Sequence, residues 1–292
     1  MSLRSWRNAL ISTSFVAVLV GVLAGVLVGG CSSKETVTPA GSTADAGGPV
    51  SAQAPGTTLF STAITNVIIE IDYAPGAEPY VDMVKDFGDP WNLFNANALA
   101  IFGTRKVSFP RTLAKMEKLA DVTAKTFTTA DILAIAAAHR TDQQFSNADS
   151  FYIVFLPGTF VDDAGTEQKT TLGVTLADSG VIALFKPAIS KPVVNPTPAP
   201  EFIEQLALIH FLGHAVGFVD NGVPVGDNNK AHIDTANGHH CTNKKCAMSV
   251  EIESAAGAAA YTSLIRSFES VLIGQECLSD ARVLEDKLRM QP

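Results

Sequence analysis

The chain has 292 residues, of which 47% are hydrophobic and 17% charged, and its mean hydropathy is +0.21. This composition excludes a wholly disordered chain. The net charge of −8 argues against a nucleic-acid-binding protein, because such proteins carry a basic patch, so we expect no nucleic-acid partner. The acidic character is stronger beyond residue 30, where 19 basic and 29 acidic residues give a net charge of −10.

The first 30 residues have the features of an export signal. Arg4 and Arg7 precede an uncharged apolar run that ends at Gly29-Gly30-Cys31. A positive start, an apolar stretch and small residues before a cleavage site are typical of a secretory signal peptide. The small-small-Cys ending resembles a bacterial lipobox, in which Cys31 becomes the lipidated first residue of the mature protein.

This ending predicts a signal peptide over residues 1–30 and an exported, lipid-anchored protein of the bacterial cell envelope, located in the outer membrane if the organism is Gram-negative. The membrane would be contacted through the lipid on Cys31. The alternative is a retained transmembrane helix, because the uncharged run 9–30 is long enough to span a bilayer. Four glycines in that run disfavour a helix.

Residues 31–58 are rich in Gly, Ala, Ser, Thr and Pro and contain no aromatic residue. Such a segment cannot bury enough apolar surface to fold, so we expect a flexible tether. Residues 59–292 contain no internal repeat and no second linker of similar length, and they are predicted to form one domain.

The predicted elements of this domain mix strands and helices. A β-rich run at 66–73 precedes a helix over 93–102, which Asp89 and Pro90 open. A second helix begins at Thr129. Three β-rich runs follow at 151–156, 171–176 and 181–185, the last two separated by a hairpin-sized connection. The remaining predicted helices cover 201–217, which is apolar on nearly every face, 255–272 and 278–290. The predicted fold class is α+β.

Two histidines lie four residues apart on the helix predicted over 201–217. His210 and His214 therefore project from the same face, and two neutral imidazoles in this arrangement can bind one Zn²⁺. Two polar side chains satisfied at the end of a buried helix would give the same pattern, so the pair alone does not identify a metal site.

The downstream sequence strengthens the metal interpretation, because it has the pattern H-C-x4-C-x-M over residues 240–248. Together with His210, His214 and Gly217, it resembles the metzincin zinc peptidases, whose signature is H-E-x-x-H-x-x-G-x-x-H followed by a Met-turn. The ending is most similar to archaemetzincins and related exported bacterial metallopeptidases.

The resemblance implies a zincin/metzincin-like fold, with a twisted mixed sheet, an antiparallel edge strand, an active-site helix over 201–217, a Met-turn and C-terminal helices. It implies one Zn²⁺ site and a peptide or protein ligand bound in a cleft, for which 181–185 is the candidate edge strand. Met248 would be the Met-turn residue, an apolar floor beneath the metal, although it could also be an ordinary core residue.

The sequence leaves the third zinc ligand open. In the family, the third histidine directly precedes the C-x4-C block, which points to His240. The strict spacing of the signature instead places Asp220 three residues after Gly217, and Asp is an acceptable oxygen ligand. His232 and His239, in the polar insertion 221–239, are further alternatives.

Phe211 stands where the resemblance places the catalytic Glu. That Glu acts as the general base of the family and returns the proton to the leaving amine, and Phe can do neither. Glu204 lies on the same helix face, but about 10 Å back along the axis at about 1.5 Å per residue, which is too far to replace it. We therefore expect a pseudopeptidase, a metallopeptidase-like hydrolase fold with impaired catalysis.

Two alternatives remain for the function. The protein could be an active zinc endopeptidase with a non-standard base from the insertion, and the candidates are Asp220, Asp227 and Asp234. It could instead be a metal-free binding or structural protein of the envelope.

Three cysteines remain if Cys31 is lipidated. Outside the cytoplasm, Cys241 and Cys246 would most simply form a disulfide. In archaemetzincins the corresponding pair joins two later cysteines around a second, structural zinc. Here Cys277 alone follows, so we expect no second zinc, and Cys277 is either a free buried thiol or a competitor for one of the other two.

Overall fold

The computed structural model describes residues 58–141, 146–190, 200–226, 229–265, 267 and 270–291. These residues belong to one compact unit, Val50–Pro292. The predicted signal peptide, Cys31 and the tether up to residue 57 lie outside the described residues. In the part that is described, none of the helices has the length and apolar character needed to cross a membrane.

Strands and helices alternate irregularly along the chain. The strands are β1 (Asn66–Tyr73), β2 (Lys106–Ser108), β3 (Thr126–Phe127), β4 (Ala148–Leu156), β5 (Thr159–Val161), β6 (Glu167–Gln168), β7 (Gly173–Leu176) and β8 (Val181–Phe185). The helices are α1 (Trp91–Phe102), α2 (Thr129–His139), α3 (Lys186–Ile189), α4 (Pro200–Val216), α5 (Ala255–Tyr261) and α6 (Gln275–Arg289).

The larger sheet has the strand order β2-β1-β4-β8-β7. The first four strands run parallel to one another, and β7 pairs antiparallel with β8 at the edge. A second, smaller sheet has the order β3-β5-β6. The predicted α+β class with a mixed sheet is confirmed.

The predicted position of the edge strand was wrong. Residues 181–185 form β8, which pairs with β4 on one side and with β7 on the other. All five residues of β8 are buried, as expected of an apolar run inside a mainly parallel sheet. The edge strand is β7, whose two central residues are partly exposed.

Local capping signals place the first two helices where the sequence predicts them. The Asp89 carboxylate accepts a hydrogen bond from the Trp91 amide at 2.9 Å, at the start of α1. At the start of α2, the Thr128 side chain accepts from the Asp131 amide while the Asp131 carboxylate accepts from the Thr128 amide. This reciprocal capping box satisfies two amides that the helix leaves unpaired.

The helix predicted over 255–272 was wrong beyond its first turns, because α5 ends at Tyr261. Tertiary hydrogen bonds take over the backbone further on. The buried Asn97 side chain of α1 accepts from the Leu272 amide at 2.6 Å, and the Leu272 carbonyl accepts from the Ala247 amide at 2.7 Å. The alanines of the predicted run all lie within α5, and the residues after Tyr261 lack that high helix propensity.

Helix α4 is the buried helix that was predicted over 201–217. It packs against α1, β7 and β8, and thirteen of its seventeen residues are buried. Its Glu204 is fully buried, pairs with Lys186 of α3 and accepts from the Tyr80 amide at 2.8 Å. Glu204 is therefore engaged in a structural ion pair and unavailable for chemistry at the other end of the helix.

Candidate metal centre

The C-terminal end of α4 brings two imidazoles together. His210 is fully buried, and its Nε2 lies 3.1 Å from Nε2 of His214, one helical turn later. The helix ends directly after them because Gly217 adopts a φ of +95°. A Cβ at Gly217 would come within 2.8 Å of the Asn221 carbonyl oxygen, so glycine permits this close return of the chain.

A third imidazole, that of His240, completes the group. Its ring centroid lies 4.9 Å from that of His214 and 5.5 Å from that of His210. One ligand atom from each of His210, His214, His240 and Glu253 lies within 4.8 Å of the others. In a tetrahedral zinc site with Zn–N distances of about 2.0 Å, neighbouring ligand atoms are about 3.3 Å apart, so small adjustments would suffice.

The other candidates for the third ligand lie elsewhere. Asp220 is exposed in the turn after α4, and His239 is exposed with its Nδ1 3.1 Å from the Val219 carbonyl. His232 is buried in a different cluster, described below.

Hydrogen bonds to the far side of two rings orient their lone pairs. His210 Nδ1 lies 2.6 Å from the Ala247 carbonyl oxygen, and His240 Nδ1 lies 2.6 Å from the Asn237 carbonyl oxygen. A carbonyl accepts only, so each Nδ1 carries a proton, and in the neutral ring each Nε2 keeps its lone pair. Metal-binding histidines are typically held in this way.

Nε2 of His240 is a buried nitrogen with no hydrogen-bond partner among the described residues. Glu253 Oε1 approaches it to 3.1 Å, the distance of an ion pair. A buried polar atom left without a partner is costly. A metal ion at the centre of the group would satisfy it, so the residues present fit a bound metal.

Burial keeps two of the imidazoles neutral. It lowers the pKa of His210 to about 4, and it lowers the pKa of His214 well below the usual value, helped by the charge of His210. Burial also acts to lower the pKa of His240, but the Glu253 carboxylate and the Asn237 carbonyl outweigh it and raise that pKa. At neutral pH, His210 and His214 therefore offer lone pairs rather than positive charge.

Met248 packs against the backbone of α4 between the two histidines. It is fully buried, and a Cβ added at Gly213, between the two histidines of α4, would overlap its sulfur. Gly213 therefore lets Met248 approach the helix backbone. A glycine inside an otherwise strongly helical run was the sequence signal for this contact.

Phe211 lies at the wall of a cavity of about 500 Å³ beside the histidines. The cavity runs along β7, and its lining includes His214, Asn221, Glu253 and Asp149. The Phe211 carbonyl accepts a hydrogen bond from the Thr175 hydroxyl of β7 at 2.9 Å. At position 211 the cavity wall is therefore an aromatic ring, which carries no group that can exchange a proton.

The acids proposed as replacement bases are poorly placed. Asp220 is exposed, and the Asp234 carboxylate accepts hydrogen bonds from the Ala236 amide and the Asn237 side chain. Asp227 lies outside the described residues. The acid that lies next to the histidines is Glu253, which was not among the residues predicted for the site. The sequence feature that could have indicated it is its position five residues after Met248.

The predicted disulfide between Cys241 and Cys246 is not formed, because Cys241, Cys246 and Cys277 are all free and buried. Cys246 Sγ lies 3.7 Å from Cys277 Sγ, compared with about 2.05 Å in a disulfide. His232 Nδ1 lies 3.5 Å from Cys241 Sγ and 3.9 Å from Cys277 Sγ. His232, Cys241 and Cys277 form a second group that could hold a metal ion.

This second group revises the expectation that the chain lacks ligands for a second metal. A site of four cysteines would need one more cysteine than the chain has here, but His232 of the polar insertion joins Cys241 and Cys277 instead. His232 Nε2 lies 2.8 Å from Asp280 Oδ2 of α6, so the imidazole donates there and leaves Nδ1 facing the thiols. Cys246 Sγ accepts hydrogen bonds from the Gly274 amide at 3.0 Å and the Met248 amide at 3.4 Å. The neighbouring Cys241 thiol nevertheless raises the pKa of Cys246 to about 12.

No protein-family model and no curated protein matches the sequence. Among solved structures, the chain is similar to the zinc-dependent peptidase from Methanocorpusculum labreanum (strain Z), with 11% sequence identity and a TM-score of 0.36 over 75% of this chain and 100% of that one. A similarity this low gives no information on the activity of the present chain. The case for a metal site rests on the geometry of the chain's own residues.

Proposed function

We propose that the protein is a lipid-anchored lipoprotein of the bacterial cell envelope whose folded domain is a metzincin-like, zinc-binding peptidase domain with impaired catalysis. The observation that carries the metal site is the group formed by His210, His214 and His240. Their ligand atoms converge, and the Nε2 lone pairs of His210 and His240 face the centre. The lipid anchor rests on the sequence ending at Cys31.

In this proposal His210, His214 and His240 hold Zn²⁺, and Met248 forms the apolar floor under them. When bound, zinc would supply Lewis-acid polarisation of a carbonyl group. The cavity along β7 accommodates a peptide or a protein segment. An extended chain could add to the free edge of β7 through backbone hydrogen bonds, the usual way in which a sheet edge takes a peptide.

The impairment follows from Phe211, which can neither accept nor return a proton. Loss of a general base typically costs about 10²- to 10⁴-fold in rate. An active endopeptidase with another base would instead show strong hydrolysis, and a metal-free binding protein would show no response to zinc. These are the two competing functions that the experiment must exclude.

The test is the zinc content and the activity of the purified full-length protein. We expect the wild-type protein, reconstituted with Zn²⁺, to hold zinc at the three histidines and to cleave casein very slowly. The variants His210→Ala and His214→Ala should lose the zinc ion of that site. Absence of zinc at the three histidines would contradict the metal site, and rapid casein cleavage would contradict the impairment.

We further propose that Cys241, Cys246, Cys277 and His232 hold a second, structural zinc. Ligand sulfurs in a tetrahedral zinc site with Zn–S distances of about 2.3 Å are about 3.8 Å apart, close to the 3.7 Å between Cys246 and Cys277. Such a site would connect the insertion 221–239, which contains His232, to α6, which contains Cys277.

A further inference from the structure

We propose that Glu253 is a fourth protein ligand of the metal held by His210, His214 and His240, so that the site is closed by a displaceable carboxylate. This inference rests on the proposed function, because it assumes that the three histidines bind zinc. It goes beyond that function because it states what occupies the position where a peptidase would admit its substrate.

The first argument is position. Glu253 Oε1 lies 3.1 Å from His240 Nε2, the same separation as between Nε2 of His210 and Nε2 of His214. All four atoms fall within 4.8 Å of one another. These separations suit four ligands around one ion, and zinc accepts carboxylate oxygen alongside imidazole nitrogen.

The second argument is the chemistry of the contact. His240 Nδ1 donates to the Asn237 carbonyl, so in the neutral ring His240 Nε2 and Glu253 Oε1 both present lone pairs. Two such atoms at this distance repel each other unless a proton or a metal cation lies between them. A zinc ion would remove the repulsion and would also satisfy the buried Nε2, which has no hydrogen-bond partner in the described part of the chain.

The third argument is that the backbone holds Glu253 at this place. It ends the short 3-10 helix Val250–Glu253, and its carbonyl accepts from the Leu172 amide at 3.2 Å, next to β7. The following residue, Ser254, caps α5 by accepting from the Gly257 amide at 3.2 Å. A Cβ at Gly257 would overlap the Glu251 carbonyl, so this segment lies tightly against the first turn of α5.

The exposure of Glu253 shows how the site could open. Its side chain is 47% exposed and lines the cavity, whereas that of His240 is 8% exposed. Zinc sites with four protein ligands are typically structural, and catalytic sites keep one position open. A carboxylate with one side in water can leave the metal when another ligand arrives, while the buried histidines stay in place.

Two other roles for Glu253 make different predictions. As an ion-pair partner of a protonated His240, it would have no part in metal binding. As a general base, it would leave the fourth position free, and its loss would not alter access of a small ligand to the metal.

The experiment compares wild type, Glu253→Gln, Glu251→Gln and His210→Ala as purified full-length proteins. Glu251→Gln is the matched control, because it removes the same charge from the same short helix, where Glu251 pairs with the surface residue Lys244 at 3.0 Å. Zinc affinity is measured by competition with a chromophoric chelator, and the His210→Ala titration defines the contribution of the cysteine cluster. Affinity for acetohydroxamate, a small zinc-binding probe, is then measured on each zinc-loaded protein.

We expect Glu253→Gln to weaken zinc binding at the histidine site by at least about tenfold, the smaller of the losses seen when a group supporting a metal site is removed. The same variant should bind acetohydroxamate more tightly, because the fourth position is open. Glu251→Gln should match wild type in both measurements. These opposite changes are not produced by a merely structural role.

One outcome would overturn the inference and leave the proposed function standing. In it, Glu253→Gln has the zinc and acetohydroxamate affinities of wild type, while His210→Ala still loses zinc binding at the histidine site. Wild type without histidine-bound zinc would overturn both.

Discussion

Phe211 packs against Gly173, the first residue of β7, and a Cβ added at Gly173 would come within 2.8 Å of the Phe211 ring. Strand β7 therefore has no side chain at Gly173, where the Phe211 ring packs against its backbone. Because glycine tolerates this approach and Phe211 is 3% exposed, the ring is an integrated part of the cavity wall.

Replacing Phe211 with Glu should restore a proton acceptor at this wall. We expect Phe211→Glu, loaded with zinc, to cleave casein faster than wild type, toward the roughly 10²- to 10⁴-fold that a general base supplies. The gain should be larger in the double variant Phe211→Glu/Glu253→Gln, because the fourth metal position is then free. Initial rates of casein hydrolysis measure both effects.

The control for this variant is Phe211→Gln, which has the shape of Glu but no basic carboxylate. It should lose the same aromatic packing and gain no hydrolysis. Equal activities of the Glu and Gln variants would show that opening the cavity, rather than proton transfer, limits the wild-type protein.

The two proposed metal sites make the zinc stoichiometry informative. Wild type should bind two zinc ions per chain, and His210→Ala should bind one. Ligand binding to the folded state alone stabilises it by about 2.7 kcal/mol at a free concentration 100 times Kd. Each site should therefore raise Tm by about 5–10 °C under such conditions.

Differential scanning calorimetry and metal analysis on the same samples check this prediction. His139→Ala serves as the control, because His139 contacts the exposed acids Glu117 and Asp121 and belongs to neither metal group. Its zinc content should equal that of wild type, and a deficit would point to general damage from removing an imidazole.

Local sequence signals were enough to predict the elements that carry the histidines. Helix periodicity alone puts His210 and His214 on one face, and Asp89 forms a hydrogen bond at the start of the helix that it was predicted to open. The Met-turn pattern also singled out Met248, whose sulfur lies against the backbone at Gly213. What it lacked was the pairing order of the strands, so β8 was taken for the edge in place of β7.

The contacts that the sequence did not reveal join residues far apart in the chain. His232 meets Asp280 across 48 positions, and Cys246 meets Cys277 across 31. Glu253 is close in sequence to Met248, but its approach to His240 depends on the backbone contact with Leu172. Spacing rules describe one helix or one turn, and they do not encode such tertiary contacts.

The Asp280 carboxylate should control zinc binding at the cysteine cluster. It accepts from His232 Nε2 at 2.8 Å, and its other oxygen accepts from the Gly226 amide at 3.1 Å. Removing a carboxylate that orients a histidine ligand typically costs 10- to 100-fold in metal affinity, about what we expect for Asp280→Asn. The thiols of Cys241, Cys246 and Cys277 should then react with Ellman's reagent at lower chelator concentrations.

A matched control for that variant is Asp286→Asn on the same helix, whose carboxylate is 67% exposed and pairs with Arg289. Its thiol reactivity should follow wild type. If Asp280→Asn also follows wild type, the second zinc has no histidine ligand oriented by Asp280.

The last prediction concerns Asp149, a buried carboxylate on the lining of the same cavity. Burial raises its pKa to about 6, against the opposing effects of the Ser150 amide and Arg140. Because the pKa of Asp149 is raised in the folded state, its protonated carboxyl contributes fully to the free energy of unfolding below the unfolded pKa of 3.8. That contribution is lost as the pH rises through about 6.

Asp149→Asn keeps an oxygen for the Ser150 amide but cannot ionise. The variant should therefore gain stability relative to wild type between pH 4 and pH 8, by up to about 3 kcal/mol. Urea unfolding at both pH values measures this difference. Asp162→Asn, at a half-buried cavity residue whose pKa is lowered by the Thr166 amide, should change the pH dependence in the opposite direction. The same sign in both variants would contradict the assignment to burial.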